Sequence, residues 1–429
     1  MFWPTLLASL SLTAITGAAL GAALGLTGLI ILHFFAGNAA FLALDAVWNA
    51  FNSFTLSAIP LFILLGEILL QSGISRRVYT ALTPVFQRVP GGLLHTNIAV
   101  CTVFGAVSGS SMSTAAAVGS VAYPEMARRG YHKPTVVGSL AGGGTLGLLI
   151  PPSLSLLIYG ALTETSIGRL FMASILPGLI LSALFMAYIY VRCARDRSLS
   201  PEGGSRVSLI AVLKGLLPIW PVVLLILAVM GSIVFGIATP TEAAGVGVAA
   251  AALISAIWGE LTWKGLLACL HRAVLTYAAI GFVVLGAVVL AQSVAILGVP
   301  QALLETVRQS GLGATGVLII VVAIYVLLGC LFDGLSLMIM TLPIVFPLMT
   351  QLGFDPIWLG VLVTIMIEIG QVTPPVGLNL SVLVAITEDE VGLGRAALAT
   401  MPYWILMLVG VVILTLFPEI ALVLPDLVF

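Results

Sequence analysis

The chain has 429 residues, of which 60% are hydrophobic and 8% charged, and its formal net charge is −1. With a mean hydropathy of +1.21, this composition excludes a water-soluble fold, because no soluble core could bury so much apolar surface. The small net charge argues against nucleic acid as a partner. We expect an all-α polytopic membrane protein, since the apolar runs have the length of spanning helices, about 17–25 residues, and lack β-barrel alternation.

The predicted elements divide the chain into two similar units joined by a polar linker. Residues 1–53 form an N-terminal scaffold helix and an amphipathic segment. The first unit (54–194) contains a scaffold span with a surface arm (54–91), a hairpin (92–128), a broken helix (134–162) and a span (169–193). After a linker (195–211) and scaffold helices (212–272), the second unit (273–417) contains a span with an arm (273–310), a hairpin (313–350), a broken helix (357–386) and a span (396–417). A tail (418–429) ends the chain.

The two units are predicted to be repeats because their helix-breaking residues recur in register. Pro124, Gly130 and the pair Pro151 and Pro152 return as Pro347, Gly353 and the pair Pro374 and Pro375. The offset is constant, since 347 − 124 and 374 − 151 both equal 223. Proline-interrupted apolar segments in corresponding positions of two halves indicate a transporter with its binding site near the bilayer midplane.

Basic residues predict the orientation of the chain. If each hairpin is re-entrant, 14 of the 16 Lys and Arg residues fall on one side, and only Arg169 and Arg308 lie opposite. The positive-inside rule makes the richer side cytoplasmic. This places the N-terminus in the cytoplasm and the C-terminus in the periplasm. The two hairpins then open to opposite sides, so the repeats have inverted topology.

The breaks themselves are rich in groups that can bind a hard cation. Small and hydroxyl residues interrupt the first hairpin, namely Gly105, Ser108, Gly109, Ser110, Ser111, Ser113 and Thr114. Consecutive prolines remove two amide donors and leave backbone carbonyls free in the preceding turn. Carbonyl and hydroxyl oxygens together predict a sodium site. Close packing is the simpler explanation for any single glycine or serine in a membrane helix.

Three intramembrane carboxylates require a separate interpretation. Asp333 and Glu368 lie within the apolar second unit, where an ionisable residue is a functional candidate by default. Glu368 fits a satisfied structural pair equally well, and Glu67 is similarly ambiguous. Within the repeat Ser110 corresponds to Asp333 and Thr145 to Glu368, so the two halves are not chemically equivalent. No nucleotide-hydrolysis or hydrolase motif is present, and we do not expect an enzyme.

The motifs in both units resemble those of a known transporter family. Characteristic segments are 108–111 (SGSS), 124–126 (PEM), 142–147 (GGGTLG), 150–153 (IPPS) and 371–377 (QVTPPVG). They are similar to the large membrane subunit of TRAP transporters, which are tripartite ATP-independent periplasmic transporters (DctM-like). The resemblance covers nearly the whole chain.

The resemblance implies a bacterial inner-membrane carrier with the elevator fold of the ion-transporter superfamily. It further implies a sodium gradient as driving force and Na⁺ as the coupling ion, with no organic cofactor. A periplasmic binding protein would deliver a small organic anion, such as a carboxylate or sugar acid. A small four-helix membrane subunit, here a separate chain, would brace the scaffold within the membrane lipid.

The resemblance also implies site residues. Sodium site 1 would use Ser108, Ser111, Gly147, Ile150 and Pro152. Sodium site 2 would use Gly329, Gly370, Thr373 and Val376. Substrate contacts are expected from Ser108, Ser110, Ser153, Asp333 and Asn379. A stand-alone sodium- or proton-coupled anion symporter of a related inverted-repeat fold is the alternative, and a membrane-embedded enzyme is a more distant one.

Overall fold

A computed structural model describes residues 8–9, 19–201, 215–388 and 390–429. These residues form helices joined by short turns. The prediction of an all-α polytopic membrane protein is confirmed. Seven helices among the described residues are long and apolar enough to cross a membrane. The number becomes eight if two helices bent by 59°, Ala39–Phe51 and Thr55–Gln71, count as one span.

The helices of the first part of the chain are numbered α1 to α9. They are α1 (Leu20–Phe34), α2 (Leu42–Phe51), α3 (Ala58–Gln71), α4 (Ile74–Phe86), α5 (Leu93–Ser108), α6 (Ser111–Arg128), α7 (Lys133–Leu149), α8 (Leu154–Thr163) and α9 (Ile167–Arg195). The α5–α6 and α7–α8 breaks fall inside the predicted hairpin (92–128) and the predicted broken helix (134–162). The start of the first predicted span and residues 202–214, which include most of the linker, lie outside the described residues.

The second part of the chain has a corresponding set of helices. They are α10 (Trp220–Val234), α11 (Pro240–Trp258), α12 (Trp263–Ile296), α13 (Val299–Ser310), α14 (Ala314–Gly329), α15 (Gly334–Gln351), α16 (Pro356–Gln371), α17 (Leu378–Ile386), α18 (Leu393–Leu416) and α19 (Glu419–Val428). Helix α12 continues without a break across the predicted boundary between residues 272 and 273. The predicted tail forms a helix, α19, which packs against α9.

Glycines allow α1 and α12 to pack closely. A Cβ built on Gly21 would lie 2.2 Å from the carbonyl oxygen of Phe282, and one on Gly286 would lie 2.0 Å from the carbonyl oxygen of Gly21. Small residues permit such close approach of helix backbones within a membrane. Helix α12 also packs against α3, so α1, α3 and α12 form one helical group beside the broken helices.

An ion pair connects two helices of this group. The Arg272 guanidinium on α12 donates to the Glu67 carboxylate on α3, with Nε and Oε2 2.7 Å apart. This contact resolves the ambiguity at Glu67 in favour of a structural pair, since a carboxylate in a membrane helix needs a positive partner or a polar environment.

The broken helices lie at the most buried part of the molecule. Helix α7 packs against both α5 and α6, and α16 packs against α14 and α15. All residues of α16 from Ile357 to Gln371 are buried. Both double prolines, Pro151–Pro152 and Pro374–Pro375, have cis peptide bonds. The two breaks in each half therefore face each other within the protein interior.

Candidate ion and substrate site

The first hairpin turns at Gly109, between the last residue of α5 and the N-cap of α6. Gly109 has a φ of 59°, which glycine adopts without the steric cost that a side chain would bring. Ser110 caps α6, because its hydroxyl accepts from the backbone N–H of Ser113. The Ser108 and Thr114 hydroxyls lie 2.6 Å apart, and Thr114 donates to the Ser110 carbonyl over 2.8 Å. Three oxygen atoms therefore meet at this turn.

The α7–α8 break packs directly against the hairpin turn. A Cβ on Gly147 would lie 2.5 Å from the Thr114 hydroxyl and 2.8 Å from the Ser110 carbonyl oxygen. The Leu154 N–H donates to the Gly109 carbonyl over 3.3 Å. A Cβ on Gly109 would lie 3.0 Å from the Pro152 carbonyl oxygen. No side chain fits here, so the backbone oxygens of two breaks can approach one another.

The predicted residues of sodium site 1 occupy this junction, with one difference in side-chain direction. Ser108 and Ser111 are buried at the hairpin turn, and a Cβ on Gly144 would lie 3.4 Å from the Ser111 carbonyl oxygen. The Ile150 side chain instead packs toward α9, where a Cβ on Gly178 would lie 2.7 Å from its Cγ1. Ile150 can therefore contribute to the junction only through its backbone.

Ser153 is buried inside its own helix break. Its hydroxyl donates to the Leu148 carbonyl and lies 2.9 Å from the Ser155 hydroxyl. Ser155 in turn lies 3.3 Å from the Thr364 hydroxyl on α16. The sequence reasoning did not single out Ser155 or Thr364. The only signal for Ser155 was its position two residues after Ser153, just beyond the double proline.

The second hairpin and broken helix meet through two glycines. A Cβ on Gly329 would lie 2.8 Å from the Gly370 Cα. Asp333 caps α15, because its carboxylate accepts from the backbone N–H groups of Leu335 and Ser336. The Thr373 N–H donates to the Gly370 carbonyl over 3.2 Å, and its hydroxyl donates to Ile369 over 2.5 Å. Gly329, Gly370 and Thr373 are therefore adjacent.

The fourth residue predicted for sodium site 2 lies in a more exposed part of the break. Val376 is 40% exposed, and its carbonyl accepts from the Ser381 hydroxyl over 2.7 Å. A Cβ on Gly377 would lie 3.2 Å from the Thr373 carbonyl oxygen. The chain between Thr373 and Gly377 thus curls back on itself and presents carbonyl oxygens close together.

Buried polar atoms without partners concentrate in the second broken helix. Twelve such side-chain atoms occur among the described residues, and five of them belong to Glu368, Gln371 and Asn379. All three side chains are at most 3% exposed. Buried polar groups in proteins are nearly always hydrogen-bonded. These unpartnered atoms could bind a ligand or an ion. They also argue against a structural pair at Glu368, because its carboxylate oxygens have no hydrogen-bond partner among the described residues.

A large cavity lies elsewhere. It has a volume of about 1200 Å³ and is bounded by the loop before α3, the α8–α9 connection, the start of α11, part of α15 and the C-terminal residue. None of the predicted ion or substrate residues lines it. It lies between α12, α15 and the end of α8.

Paired helix breaks, spanning helices and converging backbone oxygens define a membrane transporter. Comparison with known proteins agrees with this class. Residues 7–420 match the family model described as "Tripartite ATP-independent periplasmic transporter, DctM component". The chain therefore belongs to the DctM family of TRAP transporter large permeases.

Two relatives and one solved structure illustrate the similarity. The C4-dicarboxylate TRAP transporter large permease protein DctM of Pseudomonas aeruginosa is 33% identical over 406 residues, which cover 94% of this chain and 93% of the relative. The isethionate TRAP transporter permease protein DctMQ of Oleidesulfovibrio alaskensis is 30% identical, over 97% of this chain and 65% of the relative. The Alcanivorax borkumensis YdaH transporter is similar in fold, with a TM-score of 0.62, 14% identity and 96% coverage of both chains.

Proposed function

We propose that this chain is the membrane permease of a sodium-coupled system that imports a small organic anion delivered by a periplasmic binding protein. The observation that carries the proposal is the contact between helix breaks in each half. Gly105 approaches Gly147, with 2.7 Å from its Cβ position to the Gly147 Cα, and Gly329 approaches Gly370 at 2.8 Å. The two contacts are related by nearly the same offset, since 329 − 105 is 224 and 370 − 147 is 223.

Sodium is the coupling ion in this proposal. The oxygens near Ser108 and Gly147 and those near Gly370 and Thr373 are carbonyls and hydroxyls, which are hard ligands. Binding of Na⁺ would hold each hairpin turn against its facing break. A ligand that binds one conformation better shifts the population toward it. Sodium therefore completes the substrate site before translocation.

The substrate assignment rests on chemistry and on relatives. The relatives named above transport a C4-dicarboxylate and isethionate, both organic anions. No Lys or Arg occurs in residues 93–122, 134–163 or 314–386. The negative charge of the substrate would be met by hydroxyl and amide donors, the N-terminal ends of α6 and α8, and bound sodium.

Movement follows an elevator in which the broken helices slide against the α1, α3 and α12 group, within the bacterial inner membrane. A small membrane subunit joins that group; the relative named DctMQ gives a precedent for its association with the large permease. In the proposed orientation the N-terminus is cytoplasmic and the C-terminus is periplasmic.

The test is uptake into proteoliposomes that contain the permease, its small subunit and the binding protein. We expect uptake with an inward sodium gradient and none with a potassium or proton gradient alone. Uptake that is indifferent to sodium would overturn the coupling. Uptake that needs no binding protein would favour a stand-alone symporter.

A further inference from the structure

Glu368 lies on α16 between the two hairpins. Its side chain is 1% exposed, and neither carboxylate oxygen has a hydrogen-bond partner among the described residues. The Ser111 hydroxyl of the first hairpin lies near this carboxylate, outside strict hydrogen-bond geometry, and the negative charge of Asp333 in the second hairpin repels it. Glu368 is thus a carboxylate at the junction of the two halves, with a second negative group nearby.

No positive side chain of the broken segments can neutralise Glu368. Asp333 and Glu368 are the only charged residues in segments 93–122, 134–163, 314–354 and 356–386. The Asp333 carboxylate is already engaged by the N–H groups of Leu335 and Ser336, whereas that of Glu368 is not. A buried carboxylate that keeps its charge without a counter-charge is strongly unfavourable, so such groups are protonated, paired or bound to a cation.

A second unpartnered oxygen lies one helical turn further along the same face. Gln371 is three residues after Glu368, which places both side chains on one side of α16. Its Oε1 has no hydrogen-bond partner among the described residues, and it is 3% exposed. A Cβ on Gly334 would lie 2.6 Å from the Gln371 Nε2, so the amide nitrogen faces the start of α15. The amide oxygen remains available to a cation.

We propose that Glu368, Gln371 and the Ser111 hydroxyl form a further cation site, additional to the two sodium sites and sharing Ser111 with the predicted sodium site 1. Its ligands are side-chain oxygens and include a full negative charge, unlike the carbonyl-rich sodium sites 1 and 2. One carboxylate and two neutral oxygens balance the charge of one monovalent ion, so the expected occupant is Na⁺ and not a divalent cation.

The equivalent position in the first repeat carries a residue that satisfies its own hydrogen-bonding group. The residue equivalent to Glu368 is Thr145, since 368 − 223 is 145. The Thr145 hydroxyl donates to the Gly142 carbonyl of its own helix over 2.6 Å and so needs no external partner. The site is therefore asymmetric and belongs to the second half alone.

The inference rests on the proposed sodium coupling, and its test separates the two. Equilibrium binding of radioactive sodium is measured on the full-length protein, purified from membranes with any subunit that accompanies it. We expect Glu368→Gln to bind one Na⁺ fewer per chain than the unmodified protein. Glu368→Thr, which places at 368 the residue found at 145, is expected to give the same result if the glutamine variant does not fold.

The matched control is Glu305→Gln on the exposed face of α13, which should bind as many ions as the unmodified protein. A folded Glu368 variant with unchanged sodium stoichiometry would overturn the additional site and leave the sodium coupling intact. Absence of sodium binding to the unmodified protein would overturn both. A pH-sensitive dye can show whether the unmodified protein carries a proton at Glu368. If the substitution removes a bound proton and leaves the number of sodium ions unchanged, the site is overturned.

Discussion

Gly329 and Gly370 meet backbone to backbone, so closely that a Cβ on Gly370 would lie 2.4 Å from the Gly329 Cα. Gly329 is the last residue of α14, in the second hairpin, and Gly370 lies near the end of α16, in the second broken helix. A methyl group at either position must push the two elements apart, and that separation would open the proposed sodium site 2.

We expect Gly370→Ala to lower the free energy of unfolding by about 1–3 kcal/mol, as overpacking in a close-packed interior does. Sodium-driven uptake should be lost, because the facing breaks no longer meet. The measurements are thermal melting in detergent and uptake in proteoliposomes. Gly394→Ala is the control, since nothing lies within 4 Å of a Cβ there; equal effects of both variants would contradict the prediction.

Ser108→Ala should weaken sodium binding without unfolding the protein. The substitution removes a hydroxyl that lies 2.6 Å from that of Thr114 at the first hairpin turn. We expect the sodium concentration for half-maximal uptake to rise about tenfold, which corresponds to about 1.4 kcal/mol. Ser120→Ala on the exposed face of α6, where the hydroxyl only bonds its own helix, should leave it unchanged. An unchanged sodium dependence in Ser108→Ala would remove Ser108 from the site.

Glu67→Gln should destabilise the α3–α12 contact. It removes the carboxylate that lies 2.7 Å from the Arg272 guanidinium, at an expected cost of at most about 1 kcal/mol, because the Arg272 side chain is 41% exposed and also donates to Gln71. Replacing both residues by leucine should recover much of this loss, because no charge remains unpaired. Melting temperatures of Glu67→Leu, Arg272→Leu and the double leucine variant make up the test. Additive losses in the double variant would show that the pair is not coupled.

The exposed Glu390 network should stabilise the protein in a pH-dependent way. Hydrogen bonds from Lys133, at 2.8 Å, and from Tyr123, at 2.6 Å, lower the pKa of Glu390 below its ordinary value. Because the folded pKa is depressed, the stabilisation is present above the unfolded pKa of about 4.3 and is lost as the pH falls through the folded value.

We therefore expect Glu390→Gln to melt at a slightly lower temperature than the unmodified protein at pH 7. This difference should shrink as the pH is lowered below about 4.3. Scanning fluorimetry over this pH range measures it. A difference that is constant with pH would mean that the network does not depend on the Glu390 charge.

The amino-acid sequence by itself determined the helical membrane fold and the positions of its breaks. Long apolar runs form helices because a bilayer leaves backbone groups no other partner. Double prolines and clustered glycines interrupt those helices for local reasons, at Pro151 and Pro152 as at Pro374 and Pro375, and such local rules can be read in one sequence. The family resemblance followed from the same short motifs.

Only the tertiary structure decided the role of each intramembrane carboxylate. Glu67 and Glu368 look alike in sequence, as single acidic residues in apolar runs. One pairs with Arg272, which is 205 residues away, and the other lies buried between two hairpins without a hydrogen-bond partner among the described residues. The distinction depends on which distant segments pack against each side chain. Periodicity and composition carry no information on such contacts, because they describe only how a segment relates to its immediate neighbours and its solvent.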